Sequence, residues 1–327
     1  MRAITHDTYG GPQSLTLDDI ETPQPGADEV LVRVEATSLN PFDWHLYRGD
    51  PYLIRPGKGW SKPKLKQTVG ADLAGEVVEV GANVTSLKPG DLVAGSIGRG
   101  ALAEFAVASP ANLTLKPATL SFEHAAALPM AGITAIQTLR DVASLKPGQS
   151  VLVNGASGGV GHLAIQLARS LGASRVAGVC SQSNAAMVRA LGADAITYET
   201  QNFTRLDQRF DVVLDMIGNH PFRDIRRVLE PTGILAIVGA VGGGKLLGPA
   251  GYMLRSAIAG AFAQQSVKPA LDVRITEADL TEIFRLADAA ELTPTIARVF
   301  PLSSAVEALT LLEQGHVAGK LVVTPRD

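Results

Sequence analysis

Val151-Leu-Val-Asn-Gly-Ala-Ser-Gly-Gly-Val-Gly161 decides the fold. A short apolar, β-branched run, Val151 to Val153, meets a glycine-rich turn, and Leu163, Leu167 and Leu171 then recur at helical spacing. This order predicts strand, tight turn, helix. A dinucleotide pyrophosphate needs small residues here, because it lies against bare backbone N–H groups at a helix N-terminus, where unpaired donors and the helix dipole favour anions. In the dinucleotide fingerprint the first small residue makes the turn, the second admits the phosphates, and the third lets helix pack on strand. Ala156, Gly158 and Gly161 fit those roles, with Ser157, Gly159 and Val160 between them. A glycine-rich strand exit that serves packing alone would look the same in isolation, so the flanking sequence has to separate the two.

It does so on the C-terminal side. Arg175 to Cys180, Ala195 to Tyr198, Asp211 to Met216 and Gly233 to Val241 each have a β-rich core, and helix-like stretches lie between them. Strands alternating with helices argue for a parallel sheet wound by crossover helices, the Rossmann arrangement.

At 327 residues the chain suits two domains. Its 46% hydrophobic content supports a large core, and a net charge of -3 leaves no basic footprint for nucleic acid. The single cysteine excludes a disulfide within the chain and a multi-cysteine zinc cluster, and a reducing cytoplasm is the expected home. Met1-Arg-Ala-Ile-Thr-His-Asp turns polar at once, unlike a signal peptide. The most apolar region, Leu246 to Ala263, is interrupted by Gly248, Pro249, Gly251 and Arg255, so no transmembrane segment is expected.

From Met1 to about Leu120 many short strands are punctuated by Gly, Pro and Asp, which predicts an antiparallel, barrel-like β unit. Glu29 to Glu35 alternates apolar and charged residues as a half-buried strand does, and Gly75 to Val80 behaves similarly. Ser86 to Val93 and Ser144 to Val151 share a Leu-Lys-Pro-Gly turn, in which Pro presets φ and Gly takes a positive one. Ser121 can cap a helix running through Pro129 towards Leu139. Further on come a strand signal at Val267 to Val273, an amphipathic helix from Glu277 to Ala290, and strands at Ile296 to Phe300 and Lys320 to Thr324. Between those last two strands lies a Ser303-capped helix that Gly315 stops. The last thirty or so residues are expected to return to the first domain.

In this order Asn40-Pro-Phe-Asp43, Gly70-Ala-Asp-Leu-Ala-Gly75, Lys88-Pro-Gly-Asp91, Ala126-Ala-Leu-Pro129, Gly132-Ile-Thr-Ala135, Asn154 to Gly161, Leu191-Gly-Ala-Asp194 and Gly315-His-Val-Ala-Gly-Lys320 resemble the medium-chain dehydrogenase/reductases, in their zinc-independent quinone oxidoreductase branch. The resemblance implies an α/β chain with a GroES-like β-barrel catalytic domain over 1–122 and 292–327 and a Rossmann domain, a doubly wound parallel sheet, over 123–291. It further implies an active site in the cleft between them, hydride transfer from a nicotinamide to a quinone or α,β-unsaturated carbonyl, and a homodimer. The strand near Val267 to Val273 could pair across a two-fold axis. A zinc-free alcohol or carbonyl oxidoreductase, and a nicotinamide-binding sensor with little turnover, are the competing functions.

Zinc alcohol dehydrogenases of the superfamily resemble this chain at two of those stretches, but they carry a cysteine near Asn40 and Gly-His-Glu at Gly70-Ala71-Asp72. Catalytic zinc needs about three ligands from Cys, His and carboxylate, and Asp72 cannot supply them alone. No metal is expected. Without one, quinones and enones suit the site, because they spread incoming charge that hydrogen-bond donors can stabilise.

An NAD-selective site places an acid about 20 residues past the glycines. The sequence there is Cys180-Ser181-Gln182-Ser183-Asn184, without an acid, so NADPH is the expected cofactor, with NADH also possible. Ser181, Ser183 and Asn184 supply donors, and Arg189 lies about one turn further on. By resemblance Tyr198 contacts the adenosine phosphate; a strand-end aromatic packed on the sheet is the alternative. The resemblance also brings Thr134, Ile217, Gly218, Gly239, Ala240 and Lys320 to the cofactor. Asn40, Asp43, His45 and Tyr52 are the candidate catalytic residues, with Asp43 equally readable as a helix cap and Thr134 as a buried core residue. The basic segment Arg55, Lys58, Lys62, Lys64 and Lys66 reads as a solvated loop or a substrate lid.

Overall fold

The computed structural model of the chain describes residues 1–52, 55, 59–63, 66–240 and 248–325. It contains two compact units, Met1–Ile133 with Ile275–Asp327, and Thr134–Arg274. Of the basic segment, Lys58 and Lys64 lie outside the described residues, as does Val241 at the end of one expected strand.

The first unit opens with β1 (Arg2–His6), β2 (Thr16–Asp19), β3 (Val30–Ser38), α1 (Pro41–Arg48), β4 (Gln67–Thr68), β5 (Asp72–Val80), β6 (Leu92–Ser96), β7 (Phe105–Ala108) and β8 (Leu113–Leu115). The alternation read in the sequence sets the register of β3 against β5: Val30 lies opposite Val80, Val32 opposite Val77, and Arg33 opposite Glu76, its ion-pair partner. Val30, Val32 and Val34 thereby join Leu73, Val77, Val93 and Leu113 in one apolar core, while the charged neighbours face outward.

Ser121 caps α2 (Phe122–Ala126), accepting a bond from the His124 N–H at 3.3 Å. Pro129, which has no N–H to continue the ladder, starts α3 (Pro129–Gln137). The second unit follows with β9 (Ser150–Asn154), α4 (Gly161–Ser170), β10 (Arg175–Cys180), α5 (Ala185–Ala190), β11 (Asp194–Thr197), β12 (Phe210–Asp215), α6 (Phe222–Ile225), β13 (Leu229–Ile237), α7 (Pro249–Gly260) and β14 (Ser266–Pro269). All pairs in its sheet are parallel, in the order β11-β10-β9-β12-β13-β14. The order reverses between β9 and β12, so their carboxyl ends, Asn154 and Asp215, flank the switch point where such sheets bind ligands.

The chain then forms α8 (Glu277–Asp288), β15 (Ile296–Pro301), α9 (Ala305–Glu313) and β16 (Lys320–Thr324). β16 pairs with β3, which returns the last segment to the first unit. The sheet there runs β15-β16-β3-β5-β6-β8, with β7 also on β3, and β2-β1-β4 form a smaller one.

Two boundaries differ from the sequence reading. Residues 123–133 and 275–291 belong to the first unit, because Met130 donates its N–H to Asp72, Thr119 bonds Asp288 at 2.5 Å, and Gly132 sits against Ile283 with no room for a side chain to intervene. The residue before α9 is Ser304 rather than Ser303, since Leu302–Ser304 form a 3-10 turn first. Gly315 does end that helix, at φ +76.

Candidate active site

In the second unit β9 ends at Asn154 and the chain turns at Gly155, whose φ is +90. The tight turn thus falls on Gly155 and not on Ala156, which is fully buried and packs its methyl beside Gly178. A Cβ on Gly161 would lie 2.1 Å from the Gly155 carbonyl oxygen, so this position requires glycine for the close approach of helix to turn. At Gly158 such a Cβ would meet that same oxygen at 3.3 Å, a tight approach, and no other atom within 4 Å, so the rest of the space there is open. Ser157, Gly158, Gly159 and Val160 are half-buried around the first turn of α4, whose N–H groups have no acceptor of their own within the helix. His162, fully buried, reaches back from α4 to the Gly158 carbonyl at 2.8 Å and fixes the turn.

The exit of β10 is tied to this turn: Asn184 donates to the Ser157 hydroxyl at 3.1 Å, and the Ser181 and Ser183 hydroxyls are 2.8 Å apart. Tyr198 is 55% exposed, so it is not an aromatic buried on the sheet. The sequence places no acid here, yet Glu199 brings one from the end of the neighbouring strand. Its carboxylate accepts the Gln182 N–H, with both oxygens at 3.1 Å.

Across the switch point, Asp215 is a buried acceptor that the sequence reading missed. Its Oδ1 accepts from the Asn154 amide at 2.8 Å, from the Ile217 N–H at 3.1 Å and from the Gly218 N–H at 2.9 Å, while the Tyr252 hydroxyl donates to Oδ2 at 2.7 Å. Burial, and then the Asp215 charge, push the Tyr252 phenol well above its usual range, so it stays a donor. Gly218 takes φ +66, and a Cβ there would strike Ala240 at 2.5 Å. Ile217, Gly218, Gly239 and Ala240 form a half-buried rim on this scaffold. Thr134 is also half-buried, and its carbonyl accepts the Thr138 hydroxyl at 2.6 Å.

In the first unit Asn40, Asp43 and Lys320 come together with Asp72, and all four are buried. Asn40 precedes α1, and its N–H donates to Asp43 Oδ2 at 2.7 Å, the capping geometry that the sequence allowed for Asp43. The Asn40 amide donates to Asp72 Oδ2 at 2.9 Å, and its oxygen accepts from the Lys320 ammonium at 2.5 Å. Lys320 also donates to the Leu39 carbonyl at 3.0 Å. Burial lowers the Lys320 pKa, against the pull of the Asp72 and Asp43 charges, and raises that of Asp72. Asp43 is pushed up to about 7 by burial and by Asp72, against the Asn40 N–H and the Lys320 charge. Lys320, which the resemblance brings to the cofactor, lies here among Asn40, Leu39 and the two buried carboxyls.

His45 and Tyr52 belong to other contacts. The His45 ring lies against Trp44, with centroids 3.7 Å apart, and its Nδ1 lies 2.5 Å from the Asp50 carbonyl. Burial lowers its pKa, so at neutral pH Nδ1 carries the proton and Nε2 is left as an acceptor. Tyr52 stacks under the Arg55 guanidinium at 4.1 Å, with Tyr9 4.5 Å from the same cation. Among the described residues no group of three or more His, Cys, Asp or Glu is placed to hold a metal ion.

Comparison with known proteins covers both units. The alcohol dehydrogenase GroES-like domain family matches residues 26–118, and the family described as zinc-binding dehydrogenase matches residues 191–323. A chloroplastic quinone oxidoreductase from Triphysaria versicolor is 34% identical over 99% of this chain and 98% of its own length. The chain belongs to the quinone oxidoreductase branch of the medium-chain dehydrogenase/reductases. Arabidopsis thaliana has an NADPH-dependent alkenal/one oxidoreductase that is 33% identical over 99% of this chain and 80% of its own. The quinone oxidoreductase of Escherichia coli, solved in complex with NADPH, superposes with a TM-score of 0.85 at 27% identity, covering 99% of this chain and 100% of that one.

The buried carboxyl of Asp43 makes stability depend on pH. Its folded pKa is raised from an ordinary value of about 4 to about 7. The stabilising contribution is therefore full below about pH 4 and is lost as pH rises towards 7, because the native state holds a proton that the unfolded chain releases. Asp43→Asn should flatten that decline in urea unfolding between these pH values, with Asp72, shifted in the same direction, leaving a residue of it. Equal slopes for the two proteins would contradict the assignment.

Proposed function

We propose that the protein is a metal-independent, NADPH-dependent oxidoreductase that transfers hydride to a quinone or to the activated double bond of an α,β-unsaturated carbonyl. The observation that carries the metal-free part is the Lys320 ammonium, buried and bonded to Asn40, beside Asp72. By resemblance Asn40 and Asp72 fall in the stretches that carry zinc ligands in the zinc enzymes, and here Asn40 bonds both Asp72 and Lys320 instead. The family name that mentions zinc describes relatives; Asn40 and Ala71 offer no thiolate or imidazole. The substrate class is supported by the similarity to the Triphysaria quinone oxidoreductase and the Arabidopsis alkenal/one oxidoreductase.

The second unit fits a dinucleotide, since Gly158 leaves space beside the helix start while Gly161 does not. Bound NADPH supplies the hydride. The turn from Ser157 to Gly161 would hold its pyrophosphate through the N–H groups left free there, the Gly158 N–H being engaged by the Gly155 carbonyl, with Ser181, Ser183, Asn184 and Tyr198 at its adenosine end and Thr134, Ile217, Gly218, Gly239 and Ala240 at its nicotinamide end. Asp215 keeps the Ile217–Gly218 turn fixed by accepting both N–H groups. In the first unit the carboxyl of Asp43 and the Asn40–Asp72–Lys320 group hold the start of α1 in place. That helix and the turn after it carry His45 and Tyr52, which we assign to the substrate. His45 presents its Nε2 because Nδ1 is engaged.

A homodimer in a reducing, cytoplasmic setting completes the proposal. β14 is an edge strand, and next to it Leu254, Ile258 and Phe262, each about one turn from the next, are 60%, 57% and 88% exposed, an apolar surface that a second copy would cover. Cys180 is free and buried, as suits such a compartment. Among the described residues no helix is long and apolar enough to cross a membrane.

Steady-state assays should show NADPH oxidation with quinones and conjugated enones, and no reduction of NADP⁺ by simple alcohols. Turnover of alcohols alone would favour the alcohol oxidoreductase reading, and loss of no NADPH in a single turnover with any acceptor would favour the sensor. Gly158→Val should raise the NADPH dissociation constant by at least tenfold while shifting the melting temperature little; unchanged binding would mean that the glycine serves packing only. Light scattering at micromolar concentration should give the mass of two chains, and a monomer mass would remove the dimer.

A further inference from the structure

The acid at the exit of β10 comes from β11. The two strands leave the sheet side by side: Cys180 lies opposite Thr197, and the Tyr198 N–H donates to the Cys180 carbonyl at 3.1 Å. Glu199 is the next residue, and its carboxylate turns onto the Gln182 N–H with both oxygens at 3.1 Å. That N–H belongs to the short turn Gln182–Asn184, which Asn184 ties to Ser157 in the phosphate turn. Arg189 stands at the last turn of α5, after the same segment. The Cys180 thiol registers both charges: burial raises its pKa most, Glu199 raises it further, and Arg189 lowers it. One anion and one cation therefore act on the end of the second strand, the place where a dinucleotide fold distinguishes a ribose from its 2'-phosphate.

We infer that Glu199 is a specificity-determining residue of the dinucleotide site, weakening the preference for NADPH over NADH that the exit of β10 would otherwise give, with Arg189 as its counterweight. The inference rests on the proposed nicotinamide-dependent function and specifies the selectivity of that site. The physical reason is direct. A 2'-phosphate carries close to two negative charges and seeks backbone N–H donors, and Glu199 is an anion that already occupies one of them. The adenosine ribose of NADH carries hydroxyls instead, which a carboxylate accepts. Arg189 offers an opposite charge, but from an exposed position in the last turn of α5, where water and salt screen it.

Fluorescence titration of NADPH and NADH into the unmodified protein, Glu199→Gln and Arg189→Gln, at low and at physiological salt, tests this. Exposed charges a few ångströms apart change an affinity by roughly five- to tenfold. Glu199→Gln should therefore raise the ratio of NADPH to NADH affinity by that factor, Arg189→Gln should lower it, and both changes should shrink as salt rises. A ratio that stays within about twofold in Glu199→Gln, or equal weakening of both cofactors as from loss of a merely structural latch, would overturn the inference while leaving the proposed function standing. If the unmodified protein binds neither dinucleotide, the function falls and the inference falls with it. Both side chains are exposed, so the three proteins should melt alike, which keeps the comparison one of binding.

Discussion

A lysine ammonium buried without water is tolerated only where fixed partners replace its hydration, and this constraint organises the first unit. Lys320 meets it with the Asn40 amide oxygen, the Leu39 carbonyl and the nearby charges of Asp72 and Asp43. Its partners come from the β3–α1 junction and from the start of β5, far away in sequence. β16 must pair with β3, through Val322 opposite Ser38, for the ammonium to arrive there. Removing the lysine would take the donor from Asn40 and Leu39, and removing Asn40 would break both ends of the chain of bonds.

The second unit gathers neutral donors on one buried residue instead. Asp215, at the carboxyl end of β12, gathers donors from Asn154 at the end of β9, from its own following turn and from Tyr252 on α7. A single buried carboxylate thus fixes the backbone on one side of the switch point while the glycine turn forms the other side. The bonds satisfy both Asp215 oxygens with N–H and O–H donors, so the scaffold is rigid where a ligand would lie.

Local features of this fold could be read in the sequence, and long-range ones could not. Val151 to Gly161 reveals its strand, turn and helix because β-branching, glycine and the leucine period act within a few residues, and Lys320 to Thr324 is the strand expected. Both Leu-Lys-Pro-Gly turns place glycine at positive φ, at Gly90 and Gly148. Asn40 and Asp43 were visible as polar residues at a helix start, but their meeting with Asp72 and Lys320 depends on strand pairing that no local pattern encodes. Asp215 looked like the polar end of an apolar strand, and its role became legible only with Tyr252 beside it. Glu199 escaped a count along β10 because a parallel sheet lets the neighbouring strand deliver the acid. The helical segments 123–133 and 275–291 fall in the first unit rather than the second because helices show which face is buried, not which sheet buries it.

Hydride transfer without a metal is what the proposed activity requires, with Lys320 buried in the first unit. A single-turnover measurement tests it most directly: protein stripped with a strong chelator and verified metal-free by elemental analysis is mixed with one equivalent of NADPH and excess p-benzoquinone, and the loss of NADPH absorbance is followed, corrected for the reaction without protein. The account predicts complete oxidation at a protein-dependent rate that added zinc does not change. Oxidation that is absent from the stripped protein and returns on adding zinc would contradict it.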